Sequence, residues 1–176
     1  MSSENYGNPI AIRDATFDLL FPLEIDGVPT KVGRKVPLTT LQPDQLPALG
    51  VYISADRDEQ LGNVTLPQFE TTLEICASWV CMASDDITID GALDLFFLNA
   101  KTVLFSNPDF LGLFEFVTTT SREYNFTKNG EAYIAEVRLN FSVTYKHRFD
   151  PLTPFDFKQI VIKGSPPVPD VVIDMN

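Results

Sequence analysis

Phe69-Glu70-Thr71-Thr72-Leu73-Glu74-Ile75-Cys76-Ala77-Ser78-Trp79-Val80-Cys81 is the stretch on which the fold turns. Phe69, Thr71, Leu73, Ile75, Ala77, Trp79 and Cys81 hold alternate positions, with Glu70, Thr72, Glu74, Cys76 and Ser78 between them. Successive side chains of a strand point to opposite faces, so a period of two predicts one buried face and one wet face. The same period returns at Tyr133, Ala135, Val137, Leu139, Phe141, Val143 and Tyr145, set against Glu136, Arg138, Asn140, Ser142 and Thr144. One-sided sheets of this kind are mostly antiparallel. Both runs exceed the usual strand of roughly 3–10 residues. Either bulges divide them, or their ends project beyond the domain.

Between the two runs lies the strongest helical pattern. Leu93, Phe96, Phe97, Ala100 and Leu104 form one apolar stripe, with Thr88 as the expected cap and Asp90 and Asp94 near the positive N-terminal end. Asn107-Pro108 is expected to end it. A second helix is expected from Asn8-Pro9, with Ile12, Ala15, Leu19 and Leu20 on one face and Pro22 at its end. Leu23 to Ile25 reads as a short strand turned by Asp26-Gly27, and Leu49 to Ile53 as another. Phe114 to Thr120 and Tyr124 to Phe126 are further strand segments, and Asn129-Gly130 is a hairpin turn leading to the last long strand.

Two regions break the pattern. From Val28 to Leu49, Pro29, Pro37, Pro43 and Pro47 exclude a long element and suggest a loop or loose hairpin carrying Lys31, Arg34 and Lys35. After Arg148, Pro151, Pro154, Pro166, Pro167 and Pro169 separate short apolar pieces, among them Ile160-Val161-Ile162 and Val171-Val172-Ile173. That segment reads as an arm that gains structure by lying on its own domain or on a neighbour. The expected fold class is α+β: a mixed, mainly antiparallel sheet with two helices packed on one face. The domain is placed at residues 1–148 and the Pro-rich C-terminal arm at 149–176.

Composition narrows the function. The chain has 176 residues, 44% of them hydrophobic and 21% charged, enough for one domain with a real core. No apolar run approaches the roughly 18 residues of a membrane span, and Met1 to Asn5 shows no signal-peptide pattern. The expectation is therefore assembly in a cytoplasm, with no membrane partner. A net charge of −11 argues against general duplex binding, which needs Lys and Arg to neutralise phosphates. It suits a wall past which nucleic acid slides, and equally a protein that charge keeps in solution. Cys76 and Cys81 are an odd number of positions apart on one strand, so their side chains fall on opposite faces and are not expected to pair.

The search for chemistry returns no catalytic, cofactor or metal site. His147 stands between Lys146 and Arg148 at a strand end and reads as a surface or interface residue. Without a second histidine or a CxxC spacing, zinc has no ligand set. There is no nucleophile elbow and no phosphate-binding glycine pattern. Asp56 and Asp58 superficially match a calcium loop, but its glycine and closing acid are missing, so Asp56, Asp58 and Glu59 read as solvated charges on a loop. No enzyme is expected.

Leu46-Pro47-Ala48-Leu49-Gly50-Val51-Tyr52 then gains meaning. A Leu-Pro-Ala strand entry, an acidic stretch and a long alternating strand resemble the tail terminator family of long-tailed bacteriophages. So do a helix opening near Asp85-Asp86, the phrase Leu104-Phe105-Ser106-Asn107-Pro108-Asp109-Phe110-Leu111-Gly112 after it, and a hairpin whose last strand ends in Val143-Thr144-Tyr145. The likeness spans roughly Pro9 to Tyr145. The arm after Arg148 and the segment from Val28 to Pro47 depart from the pattern. The resemblance implies a sixfold ring of identical subunits in the virion, at the head-proximal end of the tail. That ring caps the tail tube, stops its polymerisation and offers a surface to a neck or stopper protein, while DNA passes without specific binding. On that reading Asp56, Arg57, Asp58 and Glu59 face the channel or an adjacent ring. The competing readings are another head-to-tail connector, a tail tube subunit, or a small ligand-binding domain using the polar sheet face.

Overall fold

The computed structural model describes residues 6–62, 68–83, 86–129, 132–148, 159–162 and 171–174. Helix α1 (Pro9–Leu20) opens the fold, and the Asn8 carboxamide oxygen accepts hydrogen bonds from the Ile10 and Ala11 amides at 3.0 and 3.2 Å. Pro9 occupies the first turn, where a missing N–H costs nothing. Strands β1 (Glu24–Ile25) and β2 (Val28–Pro29) pair across the Asp26-Gly27 turn, where both residues have positive φ.

The main sheet has five strands in the order β3-β4-β5-β7-β6. They are β3 (Val32–Arg34), β4 (Ala48–Gln60), β5 (Gln68–Ala83), β6 (Phe116–Asn129) and β7 (Ala132–Arg148). Only the β3–β4 pair is parallel. Helix α2 (Asp86–Phe105) and the short α3 (Pro108–Leu111) pack with α1 on one face. The fold is thus α+β with two main helices on one side of a mostly antiparallel sheet, as the alternation predicts.

The alternation also fixes the core. On β5, Leu73, Ile75, Ala77, Trp79 and Cys81 are buried, and on β7 Ala135, Val137, Leu139, Phe141, Val143 and Tyr145 are buried beside them. The helices close that face with Ile12, Leu20, Ile89, Leu93, Phe96, Ala100, Leu104 and Phe110. Thr16 is buried as well, on a helix face expected to be apolar, and its hydroxyl donates to the Ile12 carbonyl at 2.8 Å. A buried hydroxyl needs a partner, and the preceding turn supplies one.

Several elements differ from expectation. The segment 35–46 is a strap crossing the far face of the sheet, where Leu38, Leu41 and Leu46 pack with Val80, Ala48 and Ile134. Val80 is therefore buried on the face expected to be wet, and Cys76, opposite Tyr52, and Ser78, bonded to Glu136, are buried there as well. Gly50 permits the approach, because a Cβ there would stand 2.7 Å from Leu38 Cγ. Strand β4 does not stop before the acidic stretch but runs through it to Gln60. The two segments expected around residues 114–126 are one strand, β6. Helix α2 begins at Asp86, so Thr88 lies inside it rather than capping it. Asn107 and Pro108 end α2 and start α3, and Asn107 Oδ1 accepts from the Asp109 and Phe110 amides at 2.9 and 3.0 Å.

The C-terminal segment contains β8 (Gln159–Ile162) and β9 (Val171–Asp174), an antiparallel pair forming a two-stranded sheet of its own. The rest of the arm, like Asp85 and Gly130, lies outside the described residues. No helix among the described residues is long and apolar enough to cross a membrane.

Candidate functional site

Magnitudes identify what this fold leaves unused. At about 3.3 Å per residue, the 16 residues of β5 and 17 of β7 run to roughly 50–55 Å. The 20 residues of α2 span about 30 Å. Even laid along the strands, the helix cannot cover them. Other segments help to cover β5 and β7, whose core-side positions are buried from Thr71 to Cys81 and from Ala135 to Tyr145. The uncovered sheet is therefore lateral: residues 54–60 of β4 and 118–127 of β6 are exposed.

The predicted residues lie in the first of these stretches. Asp56, Arg57, Asp58 and Glu59 sit on β4, all exposed. They occupy a strand at the margin of the sheet, not a loop. Register sets Asp56 opposite Leu73 and Asp58 opposite Thr71, on the helix-side face, and sends Arg57 and Glu59 to the other. The structure therefore divides the four residues between two faces. Thr71 Oγ1 donates to Asp58 Oδ1 at 2.5 Å and lies 3.1 Å from His147 Nδ1, and the His147 ring stacks on Phe69 with centroids 5.7 Å apart. On the other face Glu59 is opposite Glu70, an unfavourable like-charge pair. Lys146, opposite Glu70 on its other side, reaches it at 3.9 Å and Glu115 at 3.2 Å.

The second feature is a polar concavity of about 430 Å³ on the face away from the helices, lined by Tyr52, Glu74, Cys76, Glu123, Arg138 and Asn140 among others. Its groups satisfy one another. Arg138 forks onto Glu136 at 2.8 and 2.9 Å, and Ser78 donates to Glu136. Burial works against the Glu136 charge, but the Arg138 and Ser78 hydrogen bonds outweigh it and hold the carboxyl below its ordinary range. Tyr52 faces Cys76 across β4 and β5. Burial, reinforced by a hydrogen bond with Cys76, pushes the phenol up to about 12, and burial also raises the Cys76 thiol. A raised thiol is a poor nucleophile at neutral pH. Among the described residues no group of three His, Cys, Asp or Glu could hold a metal, and none of these polar groups is left buried without a partner.

The third feature escaped the sequence reading. Strand β6 closes one side of the sheet, and its other edge meets no further strand among the described residues. Nearly all of its described positions are exposed, including Phe116, Tyr124 and Phe126. Arg122 lies over the rings of Phe97 at 5.0 Å and Tyr124 at 4.8 Å, and pairs with Asp94 at 2.8 Å. Tyr124 also donates to Asp94, and its ring stands 5.9 Å from Phe126. The signal was available as the alternation Arg122-x-Tyr124-x-Phe126, which has too much polarity between its aromatics to read as a core face.

No protein-family model matches this chain, and no curated protein matches it. Among solved structures it is similar to a chain from the virion of a native gene transfer agent (GTA) particle. The two share 12% identity with a TM-score of 0.34, over 68% of this chain and 81% of that one. A likeness at that level assigns this chain neither a fold nor a role.

Proposed function

We propose that this protein is a structural virion subunit, and that identical copies form a sixfold ring at the head-proximal end of a tail. The ring caps the tail tube, ends its polymerisation and presents a surface to the neck or stopper protein, with DNA passing through unbound. The observation that carries the reading is the surplus of sheet. The helical layer leaves β6 and the distal half of β4 exposed, and among the described residues neither has a strand on its outer side. An open edge is a row of unpaired N–H and C=O groups and a template for another chain. When such an edge meets a different surface of the next copy the contact is head-to-tail, and it gives a ring when its rotation closes.

The sequence resemblance between Pro9 and Tyr145 supplies the tail-end setting. The self-satisfied polar concavity favours contact over catalysis. Asp56, Arg57, Asp58 and Glu59, exposed on the distal half of β4, are the residues we place toward the channel or an adjacent ring. We take residues 1–148 as the body of the ring subunit and 149–176 as its C-terminal arm. Disabling the gene during tail production tests the role. Tubes of uncontrolled length that fail to join heads are expected, whereas normal tails carrying heads would exclude it.

A further inference from the structure

The C-terminal hairpin and the β6 edge each lack what the other offers. Strands β8 and β9 pair from Gln159↔Asp174 to Ile162↔Val171. Their inner positions, Ile160-Val161-Ile162 and Val171-Val172-Ile173, are uninterrupted apolar runs. Continuous runs of this kind belong to strands covered on both faces, in contrast to the alternation of β5 and β7. An isolated two-stranded hairpin is at best marginal in water and needs a third strand or a packed surface.

Two edges of the main sheet could provide that strand, and they are not equivalent. Beyond Gly50, β4 is interrupted by a register shift between Ile53 and Ala55 and then carries four charged residues in a row, Asp56 to Glu59. Bulges and charges are the devices that keep an edge from pairing. Strand β6 has a register shift of its own, between Val117 and Thr119, but from there it runs evenly to Asn129. It has no strand on its outer side among the described residues, and carries the ridge of Arg122, Tyr124 and Phe126 in place of a run of charges. Arginine and large aromatics are the residue types enriched at protein interfaces. Lys158 and Lys163 bracket β8 in sequence, opposite in charge to Asp90 and Asp94 beside Tyr124. Strand β9 instead follows Asp170 and ends on Asp174, so β8 is the strand of the pair suited to that edge. Among the described residues the hairpin is a sheet of its own and β6 is the last strand of the main one. Its partner is therefore sought in another copy.

We infer that the β8–β9 hairpin of one copy adds to the β6 edge of the next, extending that copy's sheet and forming the seam between neighbours. Strand addition supplies main-chain hydrogen bonds along the edge, and the aromatic ridge gives an apolar surface beside them. The inference rests on the self-assembly proposed above and names the segment that makes it.

Hydrogen exchange of the outward-pointing β6 amides tests it, in the full chain across a dilution series and in a chain ending at Arg148. Every buried residue among those described lies between Ile12 and Tyr145, so the shortened chain keeps all of them. Phe126→Lys in the full chain is a second variant at an exposed position that needs no truncation. The expected result is at least tenfold slower β6 exchange in the assembled full chain than in either variant, with protection lost on dilution as the mass falls. Equal β6 exchange in all three, while the full chain remains assembled, would overturn the hairpin seam and leave self-assembly standing. A full chain that is monomeric at every concentration would overturn both, and β6 protection in that monomer would assign the hairpin to its own edge.

Discussion

The Trp79 indole lies flat on the Phe96 ring, with centroids 5.3 Å apart and planes within 6° of parallel, and its Nε1–H donates to Thr30 Oγ1 at 3.3 Å. Trp79 belongs to the central strand β5 and Phe96 to α2, so this stack joins the two layers. Phe96 is fully buried, and truncating a buried phenylalanine costs about 3–5 kcal/mol through lost transfer energy and the cavity left behind. Phe96→Ala should lower stability by that amount. Urea unfolding followed by the fluorescence of Trp79, the chain's single tryptophan, measures it directly.

Two glycines should respond in opposite directions. A Cβ on Gly33 would stand 2.5 Å from Phe21 Cδ2 and 2.6 Å from Phe17 Cζ, while one on Gly91 would meet nothing within 4 Å. Overpacking costs typically 1–3 kcal/mol, so Gly33→Ala should destabilise by about that amount. Gly91 lies within α2, where alanine is favoured over glycine by roughly 0.5–1 kcal/mol. Gly91→Ala should therefore raise the melting temperature, and paired thermal scans of the two variants provide the comparison.

The thiols are expected to stay closed until the protein unfolds. Cys76 and Cys81 are free and buried on opposite faces, and burial pushes Cys81 from its ordinary value of 9.0 up to about 12. The native protein should react with a thiol reagent far more slowly than the urea-unfolded chain, which should titrate both cysteines. A group whose folded pKa is raised contributes stability that is complete below its unfolded value. Stability should accordingly fall as pH rises from about 9 towards 12, and Cys81→Ala should flatten that slope in denaturation curves across the range.

Acid should act through Glu136. Its carboxyl is held below the ordinary value of 4.5 despite burial, because Arg138 and Ser78 hydrogen-bond to the charged form. A depressed carboxyl stabilises the fold above its unfolded value, and the contribution is lost as pH falls through the folded value. Glu136→Gln should be less stable than the parent at pH 7. The gap should narrow as pH drops below about 4.5, which denaturant titrations at several pH values will read.

The two central strands were legible because their periodicity is long and one face is almost wholly apolar. Leu73 to Cys81 and Ala135 to Tyr145 could hardly bury anything else. The helices were legible for the same reason, apart from Thr16, whose polarity is hidden by a hydrogen bond to its own preceding turn. What stayed hidden was tertiary. Nothing local shows that Leu38, Leu41 and Leu46 would fold back over Val80, and prolines at 37 and 43 argued for a loop. Nor does composition show that Asp56 to Glu59 continue a strand, since their pairing comes from Leu73 to Glu70 across the ladder. Lateral openness is a property of strand order, which is why the β6 edge stayed hidden while the periodicity of its neighbour β7 was legible.

Exposed charges on β4 should matter for assembly more than for folding. Surface substitutions away from specific contacts usually change stability by within about 0.5 kcal/mol. Lysine at Asp56 or Glu59 should leave the melting curve nearly unchanged and reduce the yield of joined particles or the passage of DNA. Full particle yield with both positions reversed would remove these residues from the channel or ring contact.

Mass in solution, measured by light scattering and paired with negative-stain images, bears most directly on the central claim that spare sheet edges are met by identical copies. The chain weighs 19.7 kDa, so the account predicts closed rings of about 118 kDa, six times the subunit mass. A species that stays at the mass of one chain up to high concentration, with no symmetric particles on the grid, would contradict it.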